Sequence, residues 1–100
     1  MEFQERVLKE VVKIPRGKAL TYKKLALKLN SSPRAVAKAL ASNPWPIKIP
    51  CHRVVMSNGK VGGYKLGKKM KIKLLRKEGV RIKMERLLNF NNNSKFKKVR

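Results

Sequence analysis

Aspartate is absent from this 100-residue chain, and all five acidic residues are glutamates. Three of them, Glu2, Glu5 and Glu10, lie near the N-terminus, which disfavours paired-carboxylate catalysis and metal sites built on carboxylates. One cysteine and one histidine exclude an internal disulfide and a four-ligand zinc site. Long apolar runs, lipid-anchor motifs and a signal or transit peptide are also missing. We therefore expect a cytoplasmic, reduced and metal-free protein without a cofactor.

Positive charge dominates what is present. The chain has 27 lysines and arginines, which gives a formal net charge of +22. One interpretation is a solvated lysine surface. On so short a chain the favoured interpretation is a footprint for nucleic acid, with a membrane surface as a weaker candidate. The length allows one domain, and 42% hydrophobic residues suffice for a modest core.

The spacing of apolar residues predicts three helices in the first half of the chain. The first spans residues 3–13 and has an apolar face of Phe3, Val7, Leu8, Val11 and Val12. The second begins after the capping residue Thr21 and runs to about Leu29. The third has Ser32 as N-cap and Pro33 in its first turn, and it runs to about Ala41. Two short helices joined by a polar turn predict a mainly α, compact domain with a helix-turn-helix of winged-helix-like form.

The third predicted helix has small side chains on most sides. Alanine alternates along it, and Val36 and Leu40 form its core-facing pair. Alanine is the best helix former, which is one explanation. The other is that small residues let the helix press into a nucleic-acid groove while Arg34 projects from its first turn. The overall charge favours the groove.

A proline-rich segment, residues 43–50, precedes the only cysteine. Proline restricts the backbone, so this segment is expected to hold Cys51 in a set position. Next come two apolar stretches around Ser57-Asn58-Gly59-Lys60, which predict a short β-hairpin after this loop.

The C-terminal third predicts one more helix, over residues 68–78. Met70, Leu74 and Leu75 are its expected buried residues, and Gly79 is its stop signal. Residues 80–88 predict a short strand or a helical turn. We expect residues 1–88 to form the domain and residues 89–100 to be a basic, asparagine-rich, disordered tail.

The adjacent residues Cys51 and His52 predict nucleophilic chemistry. A cysteine attacks as its thiolate, which requires a lowered pKa or a base within reach. Neighbouring side chains rarely bond directly, so His52 is expected to act through a water. By elimination among the glutamates, Glu78 is the carboxylate expected to orient His52. A buried structural thiol beside a turn histidine is the alternative, and the dipeptide alone favours it.

The longer context resembles the O6-alkylguanine-DNA alkyltransferases, also called methylated-DNA–protein-cysteine methyltransferases. Their proline-cysteine-histidine-arginine-valine signature stands here as residues 50–54. The resemblance extends in order and spacing over about residues 3–82. It includes Ile14-Pro15-Arg16-Gly17, Thr21-Tyr22, Arg34-Ala35-Val36, Asn43-Pro44, Gly59 to Gly67, Lys71, and Leu74-Leu75 to Glu78-Gly79.

The resemblance implies a single-turnover DNA repair protein that acts on duplex DNA as a monomer. Its helix-turn-helix would enter the minor groove, the damaged guanine would flip out, and the cysteine would take the alkyl group irreversibly. The catalytic residues implied are Cys51 as acceptor, His52 as water-mediated base, Glu78, Asn43 as brace of the loop, and Tyr22 at the guanine N3. The DNA contacts implied are Tyr22, Arg34 in the gap of the base stack, Ala35, Lys38 and Arg53. The base pocket implied is Val54, Tyr64, Lys65 and Lys71, together with the carbonyl of Cys51.

The sequence departs from the family pattern in four respects. The usual N-terminal domain is missing from the sequence, and the stretch between Tyr22 and Arg34 is about two residues short. Lys38 stands where glycine is common, and Lys65 where serine is common. The alternatives are an alkyltransferase-like protein that binds lesions without repairing them, a class that lacks the acceptor cysteine, and a general helix-turn-helix protein indifferent to lesions.

Overall fold

Four α-helices and two small sheets make up the computed structural model, which describes residues 2–88. The helices are α1 (Glu2–Val12), α2 (Tyr22–Lys28), α3 (Pro33–Ala41) and α4 (Lys68–Lys77). Strand β1 (Leu20–Thr21) pairs in parallel with β2 (Val54–Val55), and β3 (Ile82–Lys83) pairs antiparallel with β4 (Arg86–Leu87). A short 3₁₀ turn, Cys51–Arg53, precedes β2. The prediction of a mainly α domain is confirmed.

Side-chain caps explain where α2 and α3 begin. The Thr21 hydroxyl accepts a hydrogen bond from the Lys24 amide at 3.0 Å. The Ser32 hydroxyl does the same for the Ala35 amide at 3.1 Å, with Pro33 in the first turn. Each bond satisfies an amide that the helix leaves without a partner. Both predicted helix starts are confirmed.

The larger part of the core lies between α1, α2 and α3. Val7, Leu8 and Val11 supply it from α1, and Val36 and Leu40 supply it from α3 as predicted. Val12 was expected to be buried but is 56% exposed. The reason is geometric, because at 100° per residue Val12 lies well to the side of the stripe that Val7, Leu8 and Val11 form.

The smaller part of the core is built around Leu75 of α4. Leu75, Val55 and Val61 are fully buried there. The prediction for Met70 was wrong, since Met70 is 36% exposed, and Leu74 is only half-buried. The helix instead turns Lys71 fully inward. Gly79, with φ +94°, ends the helix region as predicted, and the Val80 amide returns to the Leu75 carbonyl at 3.0 Å.

The hairpin lies later in the chain than predicted. A turn does close at residues 56–60, where the Met56 amide donates to the Lys60 carbonyl at 2.9 Å. The strand before this turn, β2, however, pairs with β1 (Leu20–Thr21). After the turn, the Val61 amide donates to the Glu85 carbonyl at 2.9 Å. The antiparallel hairpin is formed by β3 and β4. Both valines of β2 are fully buried, so the strand pairs inside the domain rather than with its sequence neighbour.

The predicted tail, residues 89–100, lies outside the described residues. Across residues 2–88, each helix falls short of the length and apolarity that a membrane span requires. The same part of the chain holds no group of three or more metal-ligating His, Cys, Asp or Glu side chains.

Candidate active site

Asn43 fixes the loop that carries Cys51. Its side-chain amide donates to the Ile49 carbonyl at 3.2 Å and lies 3.4 Å from the Cys51 sulfur. Its side-chain oxygen accepts from the Trp45 amide at 2.9 Å. Asn43 is fully buried, and Cys51 is 4% exposed. One amide side chain therefore ties both ends of the proline-rich loop and contacts the sulfur itself.

His52 and Glu78 form a buried pair, as the sequence predicted. The Nε2 atom of His52 lies 2.9 Å from Oε2 of Glu78. Burial lowers the pKa of His52, although the bond to Glu78 acts in the opposite direction. Burial raises the pKa of Glu78, but hydrogen bonds from Arg53 and His52 outweigh it, and the net shift is downward. The pair is therefore a neutral imidazole beside a carboxylate.

This pairing determines which nitrogen of His52 can take a proton. A carboxylate only accepts hydrogen bonds, so a neutral His52 donates from Nε2 and leaves the Nδ1 lone pair free. Nδ1 is buried without a protein partner. A buried, unpaired acceptor beside Cys51 is an arrangement suited to a proton-transfer base that acts through a water.

Arg53 lies inside the domain rather than on the surface predicted to meet DNA. Its guanidinium donates to both oxygens of Glu78, at 3.0 and 2.8 Å, and to the Ile14 carbonyl at 2.7 Å. The side chain is 15% exposed. These bonds use the guanidinium N–H groups that would otherwise contact a phosphate. The expectation that Arg53 contacts DNA therefore does not match its position in the structure. Arg53 fixes Glu78 instead.

Lys71 is a fully buried cation at the back of the site. Its ammonium donates to the carbonyls of Val54 at 2.7 Å and Gly63 at 3.0 Å, and it lies 3.4 Å from the Tyr22 hydroxyl. Burial lowers its pKa to about 7. Lys71 therefore joins the strand after Cys51 to the segment that carries Tyr64.

The lowered pKa of Lys71 predicts a pH-dependent contribution to stability. In the unfolded chain its pKa is 10.5, so between pH 7 and 10.5 the unfolded state binds more protons than the folded state. Through that window this group's contribution to the free energy of unfolding rises with pH. We expect the difference in unfolding free energy between the wild type and Lys71→Met to grow from pH 7 to pH 10 in urea titrations. Lys69→Met, at an exposed neighbour, is the control for removal of a lysine from the surface, and a flat result for Lys71→Met would contradict this account.

A cavity of about 630 Å³ opens beside the cysteine. Burial raises the pKa of both cavity tyrosines, Tyr22 and Tyr64, to about 12, so both are protonated donors. The Tyr64 hydroxyl is buried without a protein partner. The wall includes Tyr22, Lys23, Arg34, Ala37, Leu40, Cys51, Met56, Gly62, Gly63, Tyr64 and Lys65. Its size and its mix of apolar surface with a few donors suit a planar, polar-edged ligand.

Arg34, Ala35 and Lys38 lie along α3 at the edge of this cavity or beyond it. Arg34 is exposed and borders the cavity, Lys38 is exposed, and Ala35 is half-buried. Lys65 borders the cavity from the opposite loop, and its ammonium donates to the Asn43 carbonyl at 2.6 Å. Of the predicted residues, the cavity is therefore lined by Tyr22, Arg34, Cys51, Tyr64 and Lys65, and the others do not line it.

Sequence reasoning missed two contributors to this site. The first is Gly17, which has a φ of +84°. A Cβ added at this position would lie 3.0 Å from the Glu78 carbonyl oxygen, so the backbone of Gly17 lies close to that of Glu78. The second is Met56, which lines the cavity and lies 3.2 Å from where a Cβ on Gly62 would be. The proline-arginine-glycine turn was a signal for the first position. No local pattern marks the second.

Comparisons with known proteins place this arrangement in a family. A family model described as 6-O-methylguanine DNA methyltransferase, DNA binding domain, matches residues 2–80. A methylated-DNA–protein-cysteine methyltransferase of Methanothermobacter thermautotrophicus is 53% identical over 79 residues, which are 79% of this chain and 45% of that protein. The chain spans about half the length of the curated relatives it matches.

Two solved structures agree with this result. The O6-methylguanine-DNA methyltransferase of Pyrococcus kodakaraensis is 44% identical with a TM-score of 0.76, covering 80% of this chain and 47% of that one. The Atl1 protein of S. pombe, in complex with damaged DNA containing O6-carboxymethylguanine, is 30% identical with a TM-score of 0.74, covering 82% of this chain and 80% of that one. The chain therefore belongs to the 6-O-methylguanine DNA methyltransferase family, whose DNA-binding domain it matches.

Proposed function

We propose that this chain is a DNA repair protein that transfers an alkyl group from O6 of guanine in duplex DNA to Cys51. One observation carries the proposal. A cysteine borders a cavity of about 630 Å³, large enough to admit a flipped-out base, and the adjacent histidine has a buried Nδ1 without a protein partner. We assign residues 1–88 to one catalytic and DNA-binding domain, acting as a monomer without metal or cofactor.

The transfer is a single displacement. The Cys51 thiol loses its proton through a water to Nδ1 of His52, and the resulting imidazolium is stabilised by the Glu78 carboxylate. The sulfur then attacks the alkyl carbon, the C–S bond forms, and the C–O6 bond breaks. The bonding pair leaves on the guanine, which takes a proton at N3 from Tyr22, and the proton held by His52 returns through solvent to the Tyr22 oxygen. The net change is one S–H exchanged for one S–alkyl, so each molecule reacts once.

The base pocket combines backbone acceptors with side-chain donors. The carbonyls of Cys51 and Val54 suit the guanine amino group, with Val54 held by Lys71. The Lys65 amide suits O6, and Tyr64 faces the base. These groups act only on a guanine that has left the helix, because the O6 substituent is inaccessible inside the duplex.

The pair α2 and α3 is proposed as the helix-turn-helix that enters the minor groove, within a winged-helix-like fold. Arg34 at the start of α3 would fill the gap left by the flipped guanine, while Ala35 permits close approach and Lys38 and Tyr22 meet the backbone. In this proposal Arg53 is a positioning residue for Glu78 and not a DNA contact.

Binding to duplex DNA is expected to weaken steeply with salt. A chain with 27 cationic residues that neutralises about six phosphates would lose roughly a thousandfold in affinity between 50 and 200 mM salt. Fluorescence anisotropy of a labelled duplex, measured over this range, gives the slope directly. An affinity that does not change with salt would contradict a basic footprint.

The Cys51→Ala variant separates the proposal from its alternatives. For a repair protein, the wild type takes up labelled methyl from a duplex with O6-methylguanine, while Cys51→Ala binds the lesion duplex with similar affinity and takes up none. A wild type that binds the lesion tightly without uptake would indicate a lesion-binding protein. The match to 80% of the Atl1 chain, which was solved with damaged DNA, favours the lesion-binding alternative. The presence of Cys51 argues against that alternative. Equal affinity for damaged and undamaged DNA, together with no methyl uptake by the wild type, would indicate a general DNA-binding protein.

A further inference from the structure

The charges around the cavity are all of one sign. Lys23, Arg34 and Lys65 line it, and none of its lining side chains within residues 2–88 is acidic. The carboxylate of Glu78 does not line the cavity, and it already pairs with His52 and Arg53. A cavity with a wholly cationic rim attracts negative charge on the ligand that enters it, in addition to the negative charge of the DNA phosphates.

Lys65 is the rim cation most closely tied to the reacting sulfur. Its ammonium donates to the Asn43 carbonyl at 2.6 Å, and the side chain of Asn43 contacts the Cys51 sulfur at 3.4 Å. Among the described residues no carboxylate lies within ion-pair distance of Lys65. An ammonium has three N–H donors, and the neutral carbonyl uses one. Two donors and the full charge remain available to a ligand.

We propose that Lys65 makes the cavity selective for O6-alkyl groups that end in a carboxylate, an inference that rests on the proposed function. The substituent on O6 must lie beside the sulfur that attacks it, and the Lys65 amide is the group that we assign to O6. The flexible four-carbon stem of this lysine then lets its ammonium reach the end of a short substituent. A carboxymethyl group places a carboxylate one carbon beyond the reacting carbon, where it forms a charge-assisted hydrogen bond with Lys65.

The test compares two substituents of the same size and shape. Duplexes carry either O6-carboxymethylguanine or its neutral amide isostere, O6-carbamoylmethylguanine, and single-turnover rate constants are measured for both. We expect the ratio of the anionic to the neutral rate constant to fall about three- to tenfold in Lys65→Gln, because one partly exposed ion pair is lost. Lys65→Arg keeps the charge and should keep the ratio. Lys69→Gln removes an exposed charge away from the cavity and should also keep it.

The ratio distinguishes selectivity from a structural role. If Lys65 merely held the loop through Asn43, Lys65→Gln would slow both substrates by the same factor, and an unchanged ratio overturns the inference. An unchanged ratio with normal transfer from O6-methylguanine leaves the proposed function intact. Absence of transfer from every duplex, O6-methylguanine included, overturns the proposed function and the inference with it.

Discussion

Replacement of Glu78 by glutamine is expected to slow alkyl transfer on the order of a hundredfold, the size of a general-base contribution. Glu78 accepts hydrogen bonds from Nε2 of His52 and twice from Arg53. A glutamine has one acceptor and an amide donor, so it cannot satisfy both partners. If the amide faces His52, the imidazole proton moves to Nδ1 and the free acceptor is lost. The negative charge that stabilises the imidazolium is lost as well.

Affinity for DNA should change little in Glu78→Gln, because the carboxylate is buried and does not line the cavity. The matched control is Glu85→Gln, the same substitution at an exposed glutamate that pairs with Lys68 at 3.1 Å. Single-turnover transfer and anisotropy on the same lesion duplex supply both quantities, and a thermal melt checks that the variant is folded. Equal losses in transfer and binding would indicate that Glu78 serves the fold and not the reaction.

Alkylation of Cys51 is expected to destabilise the domain. The sulfur is almost fully buried, and the amide of Asn43 lies 3.4 Å from it. An added methyl must displace this contact in a loop that Asn43 holds at both ends. Overpacking of this kind costs about 1–3 kcal/mol, which for a domain of this size lowers the melting temperature on the order of 5–15 °C.

Calorimetric or fluorescence melts of the alkylated and unalkylated protein measure this shift. The Cys51→Ala variant exposed to the same lesion duplex is the control, since it passes through the same handling and cannot be modified. A melting temperature that is unchanged after complete modification would contradict the packing argument. It would mean that the alkyl group occupies the cavity without moving Asn43.

The parts of the fold that local chemistry determines were predictable from the sequence. The starts of α2 and α3 follow from Thr21, Ser32 and Pro33, whose caps act within three residues. The end of α4 follows from Gly79 in the same way. The association of His52 with Glu78 was also predictable, because the chain has few acidic residues to choose from.

The parts that depend on distant contacts were not predictable. Arg53 turns inward because Glu78, 25 residues away, and the Ile14 carbonyl, 39 residues away, lie within its reach. Met70 was expected to be the buried residue of α4, but Lys71 is buried instead, because its ammonium donates to the carbonyls of Val54 and Gly63. The pairing of β2 with β1 joins segments more than thirty residues apart. Periodicity and capping carry no information on such partners.

The most direct test of the central claim is the intact mass of the protein after it is mixed with a duplex that carries one O6-methylguanine. We predict a gain of a single methyl per molecule, mapped to Cys51 by peptide analysis and absent from Cys51→Ala. An unchanged mass, despite tight binding to the same duplex, would contradict alkyl transfer and leave a protein that recognises the lesion without repairing it.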